Sequence, residues 1–425
     1  MIAEHIGAYL QKKSRMIDKK KIKIGILSES FIEWPGGIEF LKYVILGLNR
    51  NLNYEFHLLI PDRNKIVHLL KNKAKFFLNW AFKKKFIIIN YPKIEITAKA
   101  LSSYLQISHY SIYKNRKQLI NFLNKHCDIA LPAHGTFTHQ LNIATIGYAF
   151  DVQHKYFPEF FRLSDLKKRD AHFNAHAKYS KHIIVNALSV KQDLAKYYLR
   201  NNNVHVIPFT PILDVDLFVN LPAFDSIKSK YGLNEQPYFI VCNQFWKHKG
   251  HLTAIKALLI LIREFNVDCN LILTGTFKPE TDLHCKSILD FVISNNLSDN
   301  VRFLGFIEKS DQLSLILNSC SIVQPTQFEG GAGGFIAFEA LAYHHRCILS
   351  DIEVNKELHS PFVTFFKVND ALDLADKMRA HVETKRNDVS LEALMNDFEE
   401  SRVRLEQFWS QLIHNALIDN NHNII

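Results

Sequence analysis

The feature that most constrains this fold is a regular alternation of short apolar runs with longer helical segments. In the first half the runs are Ile22–Leu27 (IKIGIL), Glu55–Ile60, Phe86–Ile89, Asp128–Leu131, Thr145–Ala149, 182–186 (HIIVN) and 204–207 (VHVI). In the second half they are 238–242 (YFIVC), 269–274 (CNLILT), 301–304 (VRFL), 320–323 and 347–349, with helical stretches near 251–265, 280–295, 311–318 and 335–343. Strands apolar on both faces and separated by helices predict parallel sheets covered on both sides. Pro208, Pro211 and Pro222 punctuate the middle of the chain and mark a linker. The expected architecture is α/β, two doubly wound Rossmann-like domains in series, with a cleft where the C-terminal ends of both sheets meet. The predicted boundaries are 1–212 for an N-terminal domain and 213–395 for a C-terminal domain. A closing helix, 396–425, is expected to pack back on the first domain. Residues 1–20 read as a surface helix, and Leu391–Leu417 as one long amphipathic helix or a kinked pair.

At 425 residues each domain can bury its own core, and 47% apolar with 22% charged residues is a globular composition. No run of 18 uncharged apolar residues occurs, and the first residues, MIAEHIGAYLQKKSR, lack a signal-peptide pattern. The expected location is therefore the cytoplasm. Six scattered cysteines without a CxxC pair read as free, buried thiols in a reducing compartment. The net charge of +10 fits nucleic acid, an anionic membrane or a phosphorylated substrate. Nucleic acid is set aside, because there is no zinc-finger spacing, RNP-like aromatic pattern or outstanding helix-turn-helix. Basic residues concentrate only at Ile66–Lys85 (IVHLLKNKAKFFLNWAFKKK), where aromatics and lysines mix. That stretch fits an interfacial segment on anionic lipid, peripheral on the inner face of the membrane, or an ordinary amphipathic helix with a solvated face.

The most distinctive stretch is Gln324–Asp351, QPTQFEGGAGGFIAFEALAYHHRCILSD. Four of the chain's 15 glycines (Gly330, Gly331, Gly333, Gly334) lie within five positions. Strand, glycine loop, helix and strand is the order in which backbone N–H groups converge on an anion at a helix N-terminus. Glu329 and Glu339 bracket the loop, which suits a ligand with phosphates in the middle and hydroxyls at both ends, such as a nucleotide sugar. The alternative is a tight turn between two solvated acids. After the strand 238–242, VCNQFWKHKGH places Lys247 and Lys249 before Gly250 and a helix, where lysines can neutralise a diphosphate or simply be solvated. Gly36-Gly37 follows the first strand and permits close backbone approach to a ligand, or merely opens a helix after Pro35. Tyr148–Phe161 (YAFDVQHKYFPEFF) clusters Asp151, His154 and Glu159 in an aromatic loop at a strand end. A lone histidine there is more often structural, but its place at the predicted cleft edge favours a functional role.

The chain resembles the retaining GT-B glycosyltransferases of family 4, the glycosyl transferases of group 1, over nearly its whole length. FEGGAGGFIAFEA with the downstream SDIEVNKEL is similar to the two-glutamate signature of their glycine-rich bacterial polysaccharide and lipopolysaccharide subgroup. Nine residues separate Glu329 and Glu339, as in that subgroup, where the commonest family pattern has seven. DVQHKYFPEFF and NQFWKHKGH resemble the same subgroup. The resemblance implies transfer of a hexose (mannose is one candidate) from a GDP- or UDP-linked donor, with retention, to a saccharide or lipid-linked saccharide in cell-surface polysaccharide or lipopolysaccharide synthesis. It implies no metal and no cofactor beyond the donor. By the same resemblance Glu329 would hold donor-sugar hydroxyls and Glu339 the ribose. Backbone N–H groups of Gly331, Ala332, Gly333 and Gly334 would meet sugar and phosphates. Lys249 would bind the diphosphate, His154 would face the sugar at the reaction centre, and Gly37 with Gly36 would line the phosphate and acceptor side. The family's arginine five positions before the lysine is replaced by Gln244, which leaves Lys247 to supply that charge. A non-catalytic GT-B glycan-binding or scaffolding subunit and a GT-B sugar-nucleotide epimerase are the competing readings. Asp214-Val215-Asp216 fits an acidic metal motif but lies in the linker, and His344-His345 lacks a third ligand at metal spacing.

Overall fold

The computed structural model describes residues 21–32, 35–62, 94–133, 137–198, 203–384 and 389–421. The expected strand Phe86–Ile89, the basic stretch 66–85 and the N-terminal helix over 1–20 lie outside the described residues. The first sheet contains β1 (Ile22–Leu27), β2 (Tyr54–Pro61), β3 (His109–Tyr113), β4 (Ile129–Ala133), β5 (Ala144–Tyr148), β6 (His182–Val185) and β7 (Val204–Val206), in the order β3-β2-β1-β4-β5-β6-β7. The second contains β8 (Tyr238–Cys242), β9 (Asn270–Thr274), β10 (Val301–Gly305), β11 (Ser321–Gln324), β12 (Cys347–Ser350) and β13 (Val363–Phe366), in the order β10-β9-β8-β11-β12-β13. Neighbours run parallel, as in β1 with β2 and β4, and β8 with β9 and β11. Two Rossmann-like parallel sheets are therefore present, as the alternation predicts.

Two of these strands, β3 and β13, are not among the apolar runs. Both lie at a sheet edge, where one side of the ladder is unpaired; this relaxes the need for apolar residues in β3, whereas β13 (VTFF) is largely apolar but only four residues long. The β3 sequence, HYSIY, is mostly exposed or half-buried.

The double coverage of the second sheet is visible residue by residue. Phe239 and Val241 of β8, Leu271 and Leu273 of β9 and Ile348 of β12 face one core, with Leu258 and Leu261 of the helix His251–Arg263. Tyr238 and Ile240, Ile272, Ile322 and Leu349 face the other, with Ala337 and Leu341 of the helix Gly334–Leu341. A strand alternates its side chains between faces, so a sheet with helices on both sides needs apolar residues at every position.

The chain divides into two compact units. Residues 1–149, 167–184 and 402–425 make one; residues 150–166 and 185–401 make the other. The aromatic loop carrying His154 thus groups with the second unit. The closing helix is a single element, Leu391–Asn421. Its Trp409 is fully buried in the first unit, where a Cβ added to Gly47 would lie 2.5 Å from the indole. Arg50 and Glu406 pair at 3.1 Å beside it. All six cysteines are free, and four of them are buried. Burial pushes the Cys127, Cys242 and Cys269 thiols up to about 12. Among the described residues no helix is long and apolar enough to cross a membrane.

Candidate functional site

In the second sheet the strand order reverses between β8 and β11. Loops leaving the C-terminal ends of two strands at such a reversal diverge and open a crevice, the usual ligand position in doubly wound sheets. The two loops here are 243–250 and 325–333, the same two stretches that stand out in the sequence. They touch through backbone: a Cβ on Gly250, at φ +67°, would fall 1.9 Å from the Pro325 carbonyl oxygen. Only glycine combines that backbone with that approach.

The glycine loop has a specific internal frame. Gly333 is left-handed, at φ +64°, and turns the chain into the helix Gly334–Leu341. Its N–H donates to Asn355 Oδ1 at 2.7 Å, and its carbonyl accepts from Gln324 Nε2 at 3.1 Å. Gln324 is held in turn by Asn243 Nδ2, and Asn355 donates to the Ser350 carbonyl. Asn243, Gln324 and Asn355 are all buried, so this network fixes the loop from below. Gly334 N–H donates to the Gly331 carbonyl at 3.1 Å. Of the four amides expected to meet the ligand, those of Gly333 and Gly334 are thus used within the protein. Ala332 is buried, and Gly331 packs against Phe209.

Each bracketing glutamate holds a lysine. Lys249 Nζ lies 2.5 Å from Glu329 Oε1, with only 13% and 10% of the two side chains exposed. Lys309 Nζ lies 2.5 Å from Glu339 Oε2. Sequence reasoning anticipated Glu329, Glu339 and Lys249 but not Lys309, which reaches Glu339 from a separate helix. Lys247 is exposed on the same short turn as Lys249. His248 between them is pushed down to about 4 by burial and by Lys249. It is neutral near pH 7, so the positive charge of this turn belongs to the lysines. Gln244 turns its side-chain oxygen to the Thr276 N–H at 3.3 Å and brings no charge.

The aromatic loop borders the glycine loop within the same unit. A Cβ on Gly330 would lie 2.6 Å from the Phe150 carbonyl oxygen and 3.1 Å from Asp151 Cβ. Phe328, next to Glu329, contacts the rings of Tyr156 and Phe157. His154 itself is buried on the short helix Gln153–Tyr156, with Nε2 2.8 Å from the Tyr198 hydroxyl. Gly36 and Gly37 lie in the first unit, in the first turn of the helix Pro35–Leu48, where the first sheet's order reverses between β1 and β4. A Cβ on Gly37 would meet the Phe31 carbonyl oxygen at 2.2 Å. Asp214 spends its carboxylate capping the helix Val215–Val219, accepting from Leu217 N–H at 3.0 Å. Among the described residues no cluster of three or more histidine, cysteine or acidic side chains could hold a metal ion.

Residues 223–395 match the family described as glycosyl transferases group 1. The matched segment contains both crevice loops and all four members of the two ion pairs. Solved structures with the same fold include Anabaena HepE in complex with UDP, 14% identical with a TM-score of 0.62 over 93% of this chain and 100% of that one. A glycosyltransferase from Rickettsia africae is 16% identical, with a TM-score of 0.57 over 96% and 98%. WaaG, a glycosyltransferase involved in lipopolysaccharide biosynthesis, is 15% identical, with a TM-score of 0.51 over 93% and 99%. No curated protein is similar enough in sequence to match. These likenesses extend over both sheets, and the fold is GT-B.

Proposed function

We propose that the protein is a glycosyltransferase that moves a hexose from a nucleotide diphosphate sugar to a saccharide or lipid-linked saccharide, with retention and without a metal. The observation that carries this reading is the crevice between β8 and β11, where a half-buried lysine–glutamate pair meets a framed glycine loop. Support comes from the match of residues 223–395 and from the UDP found with HepE.

Before the donor arrives, Lys249 and Lys309 are neutralised by Glu329 and Glu339, and Lys247 stays exposed on the turn to supply the charge that Gln244 lacks. A diphosphate competes with Glu329 for Lys249, and the released carboxylate can accept hydroxyls of the donor sugar. The amides of Gly331 and Ala332 and the N-terminus of the helix Gly334–Leu341 face developing negative charge on the departing phosphate. Glu339 takes the ribose hydroxyls, and His154, held by Tyr198, supports the sugar side. Gly36 and Gly37 serve the acceptor side. Cell-surface polysaccharide or lipopolysaccharide is the product class, and the enzyme works in the cytoplasm at the inner face of the membrane. Vesicle co-sedimentation tests the membrane part: binding to anionic liposomes but not to neutral ones is expected, and equal binding refutes it.

Gln244 favours a second reading, a non-catalytic glycan-binding subunit, because it removes one cation from the phosphate side. Turnover separates the two. Donor hydrolysis or transfer in the wild type, abolished in Glu329→Ala and intact in EDTA, is expected. Unchanged activity in Glu329→Ala refutes the site, and complete loss in EDTA refutes the metal-free mechanism.

A further inference from the structure

Lys309 stands 30 residues from Glu339 in sequence and opens the helix Lys309–Leu317, which follows β10. Its ammonium lies 2.5 Å from Glu339 Oε2 and 3.3 Å from Gln312 Oε1. Gln312 Nε2 lies 3.5 Å from Thr274 Oγ1, at the C-terminal end of β9. A polar relay thus runs from the end of β9 to the helix behind the glycine loop. Its last member is the acid expected to meet the nucleoside.

We propose that Lys309 is a positioning residue that presents Glu339 to the vicinal hydroxyls of a ribose, so that the site distinguishes ribose from 2′-deoxyribose. The inference rests on the assignment of Glu339 to the ribose. A glutamate side chain has three rotors, and freezing them on ligand binding costs entropy. Lys309 holds one carboxylate oxygen before the ligand arrives. Oε1 and the second lone pair of Oε2 then remain to accept the 2′- and 3′-hydroxyls. The ammonium also cancels the carboxylate's charge, which would otherwise repel the neighbouring diphosphate. Gln312 limits where Lys309 can go, and preorganisation of this kind improves affinity without adding a contact to the ligand.

The test is calorimetry with UDP and 2′-deoxy-UDP, or with the GDP or ADP pair if that base raises Tm more. The wild type should prefer the ribose form by about ten-fold or more, the value of one hydrogen bond to a charged group. Lys309→Met should reduce the preference below about three-fold, and Lys309→Arg should restore it. In a Glu339→Gln background, Lys309→Met should leave the remaining ratio unchanged, because the coupled partner is gone. The ratio is an internal control for folding, since misfolded protein weakens both titrations alike. An unchanged ratio in Lys309→Met, whether affinity falls for both nucleotides or for neither, overturns the inference alone. Equal affinity of the wild type for the two forms overturns the ribose assignment of Glu339 and this inference with it.

Discussion

The proposed exchange of Lys249 between Glu329 and a diphosphate makes a prediction with opposite signs for the two partners. Lys249→Met removes the phosphate ligand, so binding of a nucleoside diphosphate should weaken by about 1.5–3 kcal/mol, the scale of a charge-assisted hydrogen bond. Glu329→Gln removes the competitor instead. The two groups are 2.5 Å apart and largely shielded from water. Their attraction is of order 7 kcal/mol at an effective dielectric of about 20, and desolvation offsets most of it. A residue of about 1 kcal/mol must be given up when Lys249 leaves, so Glu329→Gln should tighten binding of the sugar-free nucleotide about five-fold. The same variant should bind the full nucleotide sugar no better than the wild type and should not turn it over, because a neutral amide is a weaker partner for the sugar hydroxyls. Isothermal titration of both variants with UDP, or with whichever of UDP, GDP, ADP and dTDP raises Tm most, measures this. Weakening of sugar-free nucleotide binding in Glu329→Gln by as much as in Lys249→Met would refute the exchange.

Three further perturbations follow from the structure. Burial holds His248 down to about 4, His251 to about 3 and His381 to about 4. Depressed histidines leave stability intact above about pH 6.5 and lose it as the unfolded chain takes up protons between about 6.5 and 4, at up to ~1.4 kcal/mol per pH unit for each. Urea midpoints that do not fall from pH 7.5 to 5 would contradict this. Gly333→Ala places a Cβ 2.5 Å from that of Ala337 on a left-handed backbone, so at least ~1–2 kcal/mol and most activity should be lost, read by thermal melts and turnover. Trp409→Ala should cost about 3–5 kcal/mol in chemical denaturation, and a loss below ~1 would mean that the closing helix does not anchor the first unit.

What was legible in the sequence is what is local. The strands β8 (YFIVC) and β9 (within CNLILT) announce themselves because both faces are covered, so β8 is apolar throughout and β9 at its three central positions. The glycine loop, Glu329 and Lys249 were legible because each follows a strand end directly, where a doubly wound sheet puts its ligands. The edge strand β3 was not, since pairing on one side relaxes the demand for apolar residues, and β13, though largely apolar (VTFF), is only four residues long. Lys309 was not legible either, because nothing near 309 in sequence marks it. It becomes part of the site only when helix packing brings it to Glu339. The loop's buried frame lay between these cases. Gln324 is a polar residue ending an apolar strand, a signal that could have been read, whereas Asn355 is an ordinary asparagine until Gly333 donates to it.

The charge of the chain has to be read the same way. A net +10 pointed to an anionic partner, and a crevice rich in unpaired lysines would have been the simplest outcome. The crevice instead holds Lys249 and Lys309 in pairs with the two glutamates assigned to the ligand, and leaves Lys247 exposed on the same turn as Lys249. On the proposed reading Lys249 exchanges Glu329 for the diphosphate, which frees that carboxylate for a sugar hydroxyl, while Lys309 stays on Glu339. Under the proposed exchange, recognition of the phosphates and of the sugar is one coupled step, and an inorganic diphosphate that lacks hydroxyls should release Glu329 without giving it a new partner.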